Sequence, residues 1–207
     1  MTKPLTFYTN PMSRGRIARW MLEEVGARYE TEIIPYGPQM KTPPYTDINP
    51  MGKVPAIMHG ETIVTECAAI CAYLADAYPN AGLAPPPEQR GNYYRWLFFA
   101  AGPLETAVTN KAMGWETKED QKAMAGYGDF DTARATLIQA VSNSDYVAGD
   151  TFTAADVYVG AQVGWGLQFG TIPSSPELKA YSERVYSREA WKRATALDDA
   201  LMPPPES

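Results

Sequence analysis

Three consecutive prolines at residues 85–87 constrain the fold of this chain more than any other feature. Proline fixes its own backbone and lacks an N–H, so such a run neither continues a helix nor joins the interior of a sheet. We therefore expect a proline-rich linker over residues 81–90, with one domain over 1–80 and another over 91–202. A further triple-proline cluster near the end of the sequence predicts a frayed tail over 203–207.

The first part of the chain alternates between strand-like and helix-like patterns. Apolar residues at helical spacing follow Ser13 and stop before Gly26, which predicts the first helix. His59 and Gly60 interrupt two apolar runs and predict a hairpin tip. Strands are expected over 5–9, 29–36, 54–58 and 62–65, with a second helix over 67–78. The proline-rich stretch 37–50 is expected to be a loop, with a short helix inside it as the alternative. This order, β-α-β, loop, β-β-α, predicts a small mixed sheet with helices on its faces.

The second part has no convincing strand. An aromatic-rich helix is expected over 92–113, with Pro103 placed to kink it. Residues that can cap a helix N-terminus predict further helices: Thr117 with Asp120, Thr153 with Asp156, Ser175 before Pro176, and Ser187. We therefore expect an all-α bundle in this part.

The charge balance argues against two classes of partner. The chain carries 18 Lys and Arg against 24 Asp and Glu, a net charge of −6. This is unfavourable for nucleic acid or an anionic membrane surface as the main partner. No apolar run approaches the roughly 18 residues of a membrane span. The first residues also lack the apolar block of a signal peptide. We expect a cytoplasmic protein that binds neither nucleic acid nor membrane.

Histidine and cysteine usage excludes several chemistries. The chain has one histidine, His59, and two cysteines, Cys67 and Cys71. A histidine at a hairpin tip is poorly placed for a Ser-His-Asp triad. Two cysteines on one predicted helix are poorly placed to bind zinc together with His59. Two cysteines also do not make a disulfide framework. No Walker-type phosphate loop or complete dinucleotide fingerprint is present. We expect neither metal nor nucleotide.

The order of elements and three segments together resemble the soluble glutathione transferases, in particular their serine-using and bacterial classes. The segments are Asn-Pro-Met-Gly-Lys-Val-Pro-Ala-Ile at 49–57, Thr-Glu-Cys-Ala-Ala-Ile-Cys-Ala-Tyr-Leu at 65–74, and Phe-Thr-Ala-Ala-Asp at 152–156. The resemblance spans almost the whole chain. It implies an α/β thioredoxin-like N-terminal domain with a mixed four-stranded sheet, followed by an all-α C-terminal bundle. It also implies a homodimer.

The resemblance implies where glutathione would bind. Val54, before Pro55, matches the residue whose backbone N–H and C=O pair with the cysteinyl part, with a cis bond between the two. Glu66 matches the carboxylate that pairs with the glutamyl amine. Cys67 stands where the family usually has a serine, so the backbone donor is kept while the hydroxyl is replaced by a weaker one. A thiol at a helix N-terminus can also be reactive, which leaves a redox role for Cys67 as an alternative to simple packing.

Basic residues near these segments have two interpretations. Lys41 and Lys53 match positions that bind the glycine carboxylate of glutathione in the family, but each also suits a solvated loop. Arg14, Arg16 and Arg19 are expected to form a solvated helix face.

The resemblance also implies a catalytic position after the first strand. Family members place a Tyr, Ser or Cys there to donate a hydrogen bond to the glutathione sulfur. Ser13 matches the serine by its distance from the segment Arg-Ile-Ala-Arg at 16–19, although it also stands where a helix N-cap would be. Tyr8 is the second candidate and Asn10 the third.

These residues imply a glutathione transferase that activates glutathione, its co-substrate, as a thiolate and conjugates it to small, largely apolar electrophiles. Two alternatives remain on the same fold. One is a glutathione-dependent peroxidase or disulfide reductase, and the other is a non-catalytic binding module.

Overall fold

A computed structural model describes residues 3–202. Among these residues the chain forms two compact units, one extending up to Ala81 and resuming at Arg188, the other covering Gly82–Ser187. The sequence places the last helix in the second domain, whereas the structure packs it with the first unit. The tail expected at 203–207 lies outside the described residues.

The elements follow the expected order. The strands are β1 Leu5–Thr9, β2 Glu30–Ile33, β3 Ala56–His59 and β4 Thr62–Thr65. The helices are α1 Gly15–Glu24, α2 Tyr45–Ile48, α3 Cys67–Ala77, α4 Gly91–Phe99, α5 Glu105–Ala112, α6 Phe130–Ser142, α7 Ala154–Gln168, α8 Pro176–Tyr186 and α9 Glu189–Asp199. Short 3₁₀ turns lie at Pro38–Lys41, Pro79–Ala81, Pro87–Gln89 and Glu119–Gln121. No helix among residues 3–202 is long and apolar enough to cross a membrane.

The strands form one mixed sheet in the order β2-β1-β3-β4. β1 runs parallel to β2 and antiparallel to β3, and β3 runs antiparallel to β4. The register sets Tyr8 opposite Ala56, and Ala56 opposite Thr65. The ends of β1 and β4 and the start of β3 therefore meet at one end of the sheet.

Apolar side chains from the sheet, α1 and α3 form the core of the first unit. Phe7 and Ile57 come from the sheet, Met21 from α1 and Leu74 from α3, and all four are fully buried. Burying a side chain of this size stabilises a fold by about 1.5–3 kcal/mol. This packing fixes α1 and α3, and hence the loops at their N-terminal ends, against the sheet.

The last helix, α9, packs on α1, and charged pairs join the two segments. The pairs are Arg16 with Asp199, Arg19 with Asp198, Arg193 with Glu23, and Arg188 with Glu24. The expected solvated face is wrong for Arg19, which is 2% exposed. Local sequence patterns do not predict this burial, because Asp198 lies 179 residues further along the chain.

In the second unit, the long helix expected over 92–113 is present but interrupted. α4 ends at Phe99, a single π-helical turn covers Ala100–Leu104, and α5 follows. Pro103 lies in that turn and supplies no N–H, which explains the break in the regular hydrogen-bond ladder.

The capping predictions have mixed outcomes. Thr153 and Asp156 form the expected capping box at α7, and the hydroxyl of Ser175 accepts the N–H of Leu178 at α8. The prediction at Thr117 is wrong, because its hydroxyl pairs with that of Tyr127 and only a 3₁₀ turn follows. Ser187 ends α8 rather than starting α9, whose N-cap is the next residue.

Candidate functional site

The candidate residues converge on the end of the sheet where β1 and β4 finish and β3 begins. The turn containing Ser13 follows β1, Val54 and Pro55 precede β3, and Glu66 and Cys67 follow β4. A direct contact joins two of these loops, since the Cys67 sulfur lies 3.3 Å from the carbonyl oxygen of Arg14. Segments distant in the sequence therefore lie together in the first unit.

The turn between β1 and α1 is organised around Asn10. Its carbonyl oxygen accepts both the N–H of Ser13 at 3.0 Å and the Ser13 hydroxyl at 2.6 Å. Its side-chain oxygen accepts the N–H of Met12, and its side-chain amide donates to the carbonyl of Ile34. Asn10 is buried, which suits a structural carboxamide. It is thus the scaffold of the turn.

Ser13 lies one residue before the N-cap of α1, which is Arg14 rather than Ser13. Its hydroxyl nevertheless accepts the N–H of Gly15 at 2.9 Å, so it satisfies one donor at the helix start. Gly15 is required here, because a Cβ at this position would clash with the Thr9 hydroxyl at the end of β1. The helix start and the Ser13 hydroxyl are thereby held close to the strand end.

Tyr8 lies within β1, and its ring centroid is 6.0 Å from that of Tyr45. Burial raises the pKa of Tyr8, and the neighbouring carboxylate of Glu32 adds to the effect. The phenol is therefore held in its neutral form, packed against α2.

The loop before β3 is held from its carbonyl side. The carbonyl oxygen of Lys53 accepts the Tyr45 hydroxyl at 2.5 Å and the Asn49 side-chain amide at 2.8 Å. The Val54–Pro55 bond that follows is cis, as the resemblance implies. The two hydrogen bonds to the Lys53 carbonyl orient the peptide unit that carries the N–H of Val54.

The two candidate lysines differ in setting. The Lys41 ammonium donates to the carbonyls of Met51 at 3.1 Å and Gly52 at 2.7 Å, which fixes it beside the loop. Gly52 has φ +55°, and a Cβ there would press against the carbonyl of Met40. Both lysines are exposed. Lys41 is therefore a surface charge anchored to this loop by two hydrogen bonds, and Lys53 is a second exposed charge beside it.

Glu66 has an unusual backbone. Its φ of 66° and ψ of 119° make it a non-glycine residue with positive φ, and it serves as the N-cap of α3. Such a conformation costs of order 1–3 kcal/mol and is typical of functional positions. Its side chain is exposed, whereas Cys67 beside it is buried. The backbone thus turns the carboxylate outward at the start of a helix.

The cysteines and the histidine have structural surroundings. Cys67 and Cys71 are free thiols, and burial raises the pKa of Cys71. His59 ends β3 at the expected hairpin, where its ring stacks on Tyr78 and its Nδ1 lies 3.1 Å from the Tyr73 hydroxyl. Within residues 3–202, no group of three His, Cys, Asp or Glu side chains is placed to hold a metal ion.

Several residues that organise the site were not identified from the sequence. Arg16 donates to the carbonyl of Pro11, and the Tyr36 hydroxyl donates to that of Met12. Tyr45 holds the Lys53 carbonyl. The one available signal was Asn49, because an asparagine two residues before a backbone N–H it can accept is typical of an Asx turn.

Two family models match the chain. The model of the glutathione S-transferase N-terminal domain matches residues 12–77, and that of the C-terminal domain matches residues 110–189. The chain belongs to the glutathione S-transferase family. The fold and the glutathione transferase activity expected from the sequence are confirmed by this membership.

Curated relatives include plant, bacterial and fungal proteins. A glutathione S-transferase of Arabidopsis thaliana is 27% identical, with 93% of this chain and 96% of the relative covered. One from Xanthomonas campestris pv. campestris is 30% identical over 70% of this chain and 76% of its own length. This glutathione transferase therefore matches its relatives across both domains.

Solved structures of glutathione transferases share this fold. A glutathione transferase from Methylococcus capsulatus has a TM-score of 0.78 at 26% identity, covering 95% of this chain and 99% of that one. A sphingomonad glutathione S-transferase, solved in complex with glutathione, has a TM-score of 0.74 at 26% identity, covering 94% and 98%.

Proposed function

We propose that this glutathione transferase binds glutathione at the end of the sheet described above and that Ser13 stabilises its thiolate. One observation carries the proposal. The Asn10 carbonyl accepts two donors from Ser13, the backbone N–H and the hydroxyl. When the hydroxyl proton turns towards a bound sulfur, the carbonyl keeps the N–H as a partner. The donor is released without leaving a buried acceptor unsatisfied.

The surroundings of Ser13 favour donation to an anion. The N–H of Gly15 donates to the same hydroxyl oxygen, which polarises its O–H bond. The start of α1 adds the positive end of a helix dipole, and no acidic residue lies in its first turn. A free cysteine thiol titrates near 8.5, so only a few per cent is thiolate at pH 7. Lowering this value supplies the nucleophile without a general base.

Other residues would hold the rest of the tripeptide. The Val54 backbone pairs with the cysteinyl part like an added strand. Glu66 pairs with the glutamyl amine, and the Cys67 N–H at the start of α3 donates to the glutamyl carboxylate. Lys41 and Lys53 provide positive charge for the glycine carboxylate. The outward carboxylate of Glu66 and the anchored ammonium of Lys41 support this direction of binding.

Exposed apolar side chains next to Ser13 support an apolar acceptor. Met12 and Tyr36 are each 55% exposed, and the Tyr36 hydroxyl bonds to the Met12 carbonyl. In the reaction, the thiolate forms a C–S bond to an electrophilic carbon. The displaced electron pair leaves with a halide, or takes a proton from water where the acceptor is an activated alkene.

No observation favours the reductase alternative. The glutathione thiolate itself could serve as the nucleophile of a peroxidase or reductase. A separate redox role for Cys67 is disfavoured, because its sulfur faces a carbonyl oxygen, which is a partner for a thiol rather than a thiolate. The proposal includes a homodimer in the cytoplasm. Phe98, 72% exposed on α4, is an apolar side chain that such an interface would cover.

A substrate panel tests this function. The protein is assayed with glutathione and an aryl halide, an activated alkene, a hydroperoxide and a glutathione mixed disulfide. We expect the aryl halide or the alkene to be conjugated, with rates that rise with pH as the thiol ionises. Turnover of the hydroperoxide or disulfide alone would support the peroxidase or reductase. No retention on immobilised glutathione and no turnover would support the binding module.

A further inference from the structure

From Asn10 to Arg14, every carbonyl oxygen of the turn that carries Ser13 accepts at least one hydrogen bond. Those of Asn10, Met12 and Arg14 accept hydrogen bonds from Ser13, Tyr36 and Ile17 respectively. The carbonyl of Pro11 accepts from the guanidinium Nε of Arg16 at 2.6 Å. Charge-assisted bonds of this kind are stronger than neutral ones. Arg16 therefore fixes the peptide unit between Pro11 and Met12, one unit before the peptide that carries the N–H of Ser13.

Arg16 is itself held from the other end of the chain. Its Nη2 lies 2.8 Å from Oδ1 of Asp199, the last residue of α9. Nε and Nη2 belong to one rigid plane, so a guanidinium can engage the turn and α9 simultaneously in a fixed geometry. A lysine ammonium is a single point charge on a flexible stem and does not reproduce this geometry.

The position of Asp199 is fixed by its neighbour. Asp198 is fully buried and pairs with Arg19 at 2.8 Å. Arg19 lies one helical turn after Arg16 on α1. This buried pair sets the register of α9 on α1. Asp199, the next residue on α9, therefore lies beside Arg16 even though its own side chain is 60% exposed.

We propose that Arg16 is a positioning residue for the Ser13 turn and that Asp199 orients it, so that the last helix tunes ionisation of the bound thiol. The inference rests on the proposed role of Ser13. Arg16 touches neither glutathione nor the acceptor in this account. It acts by holding the Pro11 carbonyl and, through it, the direction of the Ser13 hydroxyl.

The test uses the full chain and three variants. Arg16→Lys keeps the positive charge but loses the planar guanidinium with its two fixed donors. Asp199→Asn removes the negative charge that orients Arg16. Arg193→Gln is the matched control, because it breaks a pair between the same two helices at Glu23, remote from the turn. Circular dichroism and thermal unfolding establish that each variant is folded.

The expected result is a change in kcat and in thiol ionisation rather than in binding. With saturating glutathione near pH 6.5, Arg16→Lys should lower kcat by about threefold to tenfold and raise the pKa of the bound thiol, with KM for glutathione within about twofold. Asp199→Asn should give a smaller loss, and Arg193→Gln none. Combining Arg16→Lys with Asp199→Asn should cost less than the sum of the two, since both act through one contact.

Three outcomes would overturn the inference. Arg16→Lys could match the Arg193→Gln control, or the double variant could be strictly additive. Either result, in a parent whose thiol pKa depends on Ser13, rejects the positioning role and leaves the proposed function intact. If Ser13→Ala leaves the thiol pKa of the parent unchanged, the role of Ser13 and this inference fail together. If Arg16→Lys does not fold, Arg16→Gln and Asp199→Asn test the positioning role in its place, through kcat and the pKa of the bound thiol.

Discussion

The thiol of Cys67 lies 3.3 Å from the carbonyl oxygen of Arg14, although 53 residues separate them in the chain. This contact joins the start of α3 to the start of α1. The two loops proposed to hold opposite ends of the glutamyl-cysteinyl unit are therefore connected directly.

Replacing this thiol tests what the contact contributes. Cys67→Ser keeps the backbone N–H and introduces a stronger hydroxyl donor, so glutathione affinity should hold or increase. Titration calorimetry measures it, with Cys71→Ser as a control for cysteine loss elsewhere in α3. A marked loss of affinity in Cys67→Ser alone would instead assign a role to the thiol.

Glu66 should determine glutathione affinity through its charge. A charge-assisted hydrogen bond is worth about 1.5–3 kcal/mol, so Glu66→Ala should weaken binding at least about tenfold. Unchanged affinity by calorimetry would reject the assignment.

The backbone of Glu66 gives a second readout. Ala and Gly at this position both remove the carboxylate, but only Gly adopts a φ of 66° without steric cost. The free energy of unfolding of Glu66→Gly should therefore exceed that of Glu66→Ala by about 1–2 kcal/mol, as measured by denaturant unfolding. Both should bind glutathione equally poorly. If the alanine variant is the more stable, the backbone at this position is not strained.

Tyr45 should support the loop before β3 in a pH-dependent manner. Burial raises the pKa of Tyr45 to about 12, whereas an exposed tyrosine in the unfolded chain titrates near 10. The phenol thus stabilises the folded state fully below about pH 10 and progressively less as the pH rises towards 12. Tyr45→Phe should be less stable than the parent at neutral pH, and the gap should narrow above about pH 10. Urea midpoints across this range provide the measurement, and a constant gap would contradict it.

The sequence predicts the framework of this protein better than its polar connections. β1 and β4 lie at the expected residues because short apolar runs bounded by turn residues mark these strands locally. β2 ends at Ile33, three residues before the expected end at 36, since the chain leaves the sheet where pairing with β1 stops.

Long-range pairing explains the errors. Arg19 is buried by Asp198, and Arg16 links Pro11 to Asp199. Neither partner is identifiable from local periodicity. Thr117 has the spacing of a capping residue, but its hydroxyl bonds to Tyr127 instead. The candidate site residues were found through resemblance, while the side chains that orient them required the structure.

The capping box of α7 should contribute to stability without affecting the glutathione site. Both oxygens of the Asp156 side chain accept hydrogen bonds, from Val147 and Tyr181 at one and from Thr153 at the other. Thr153→Ala should cost about 0.5–2 kcal/mol and lower the Tm, with glutathione affinity unchanged. Thr153→Ser, which retains the hydroxyl, is the matched control. Equal denaturation midpoints for Thr153→Ala and the parent would refute this role.

The most direct test of the central claim is the pH titration of the thiolate absorbance of bound glutathione. A hydroxyl donor and the helix start together contribute about 1.5–3 kcal/mol, which corresponds to a thiol pKa about one to two units below 8.5. Ser13→Ala removes the hydroxyl but keeps the helix start, so it should shift the titration upward by at most that amount. It should also lower conjugation far more near pH 6.5 than near pH 9, leaving glutathione affinity nearly intact. A titration unmoved in Ser13→Ala but shifted upward in Tyr8→Phe would contradict the account and make Tyr8 the donor.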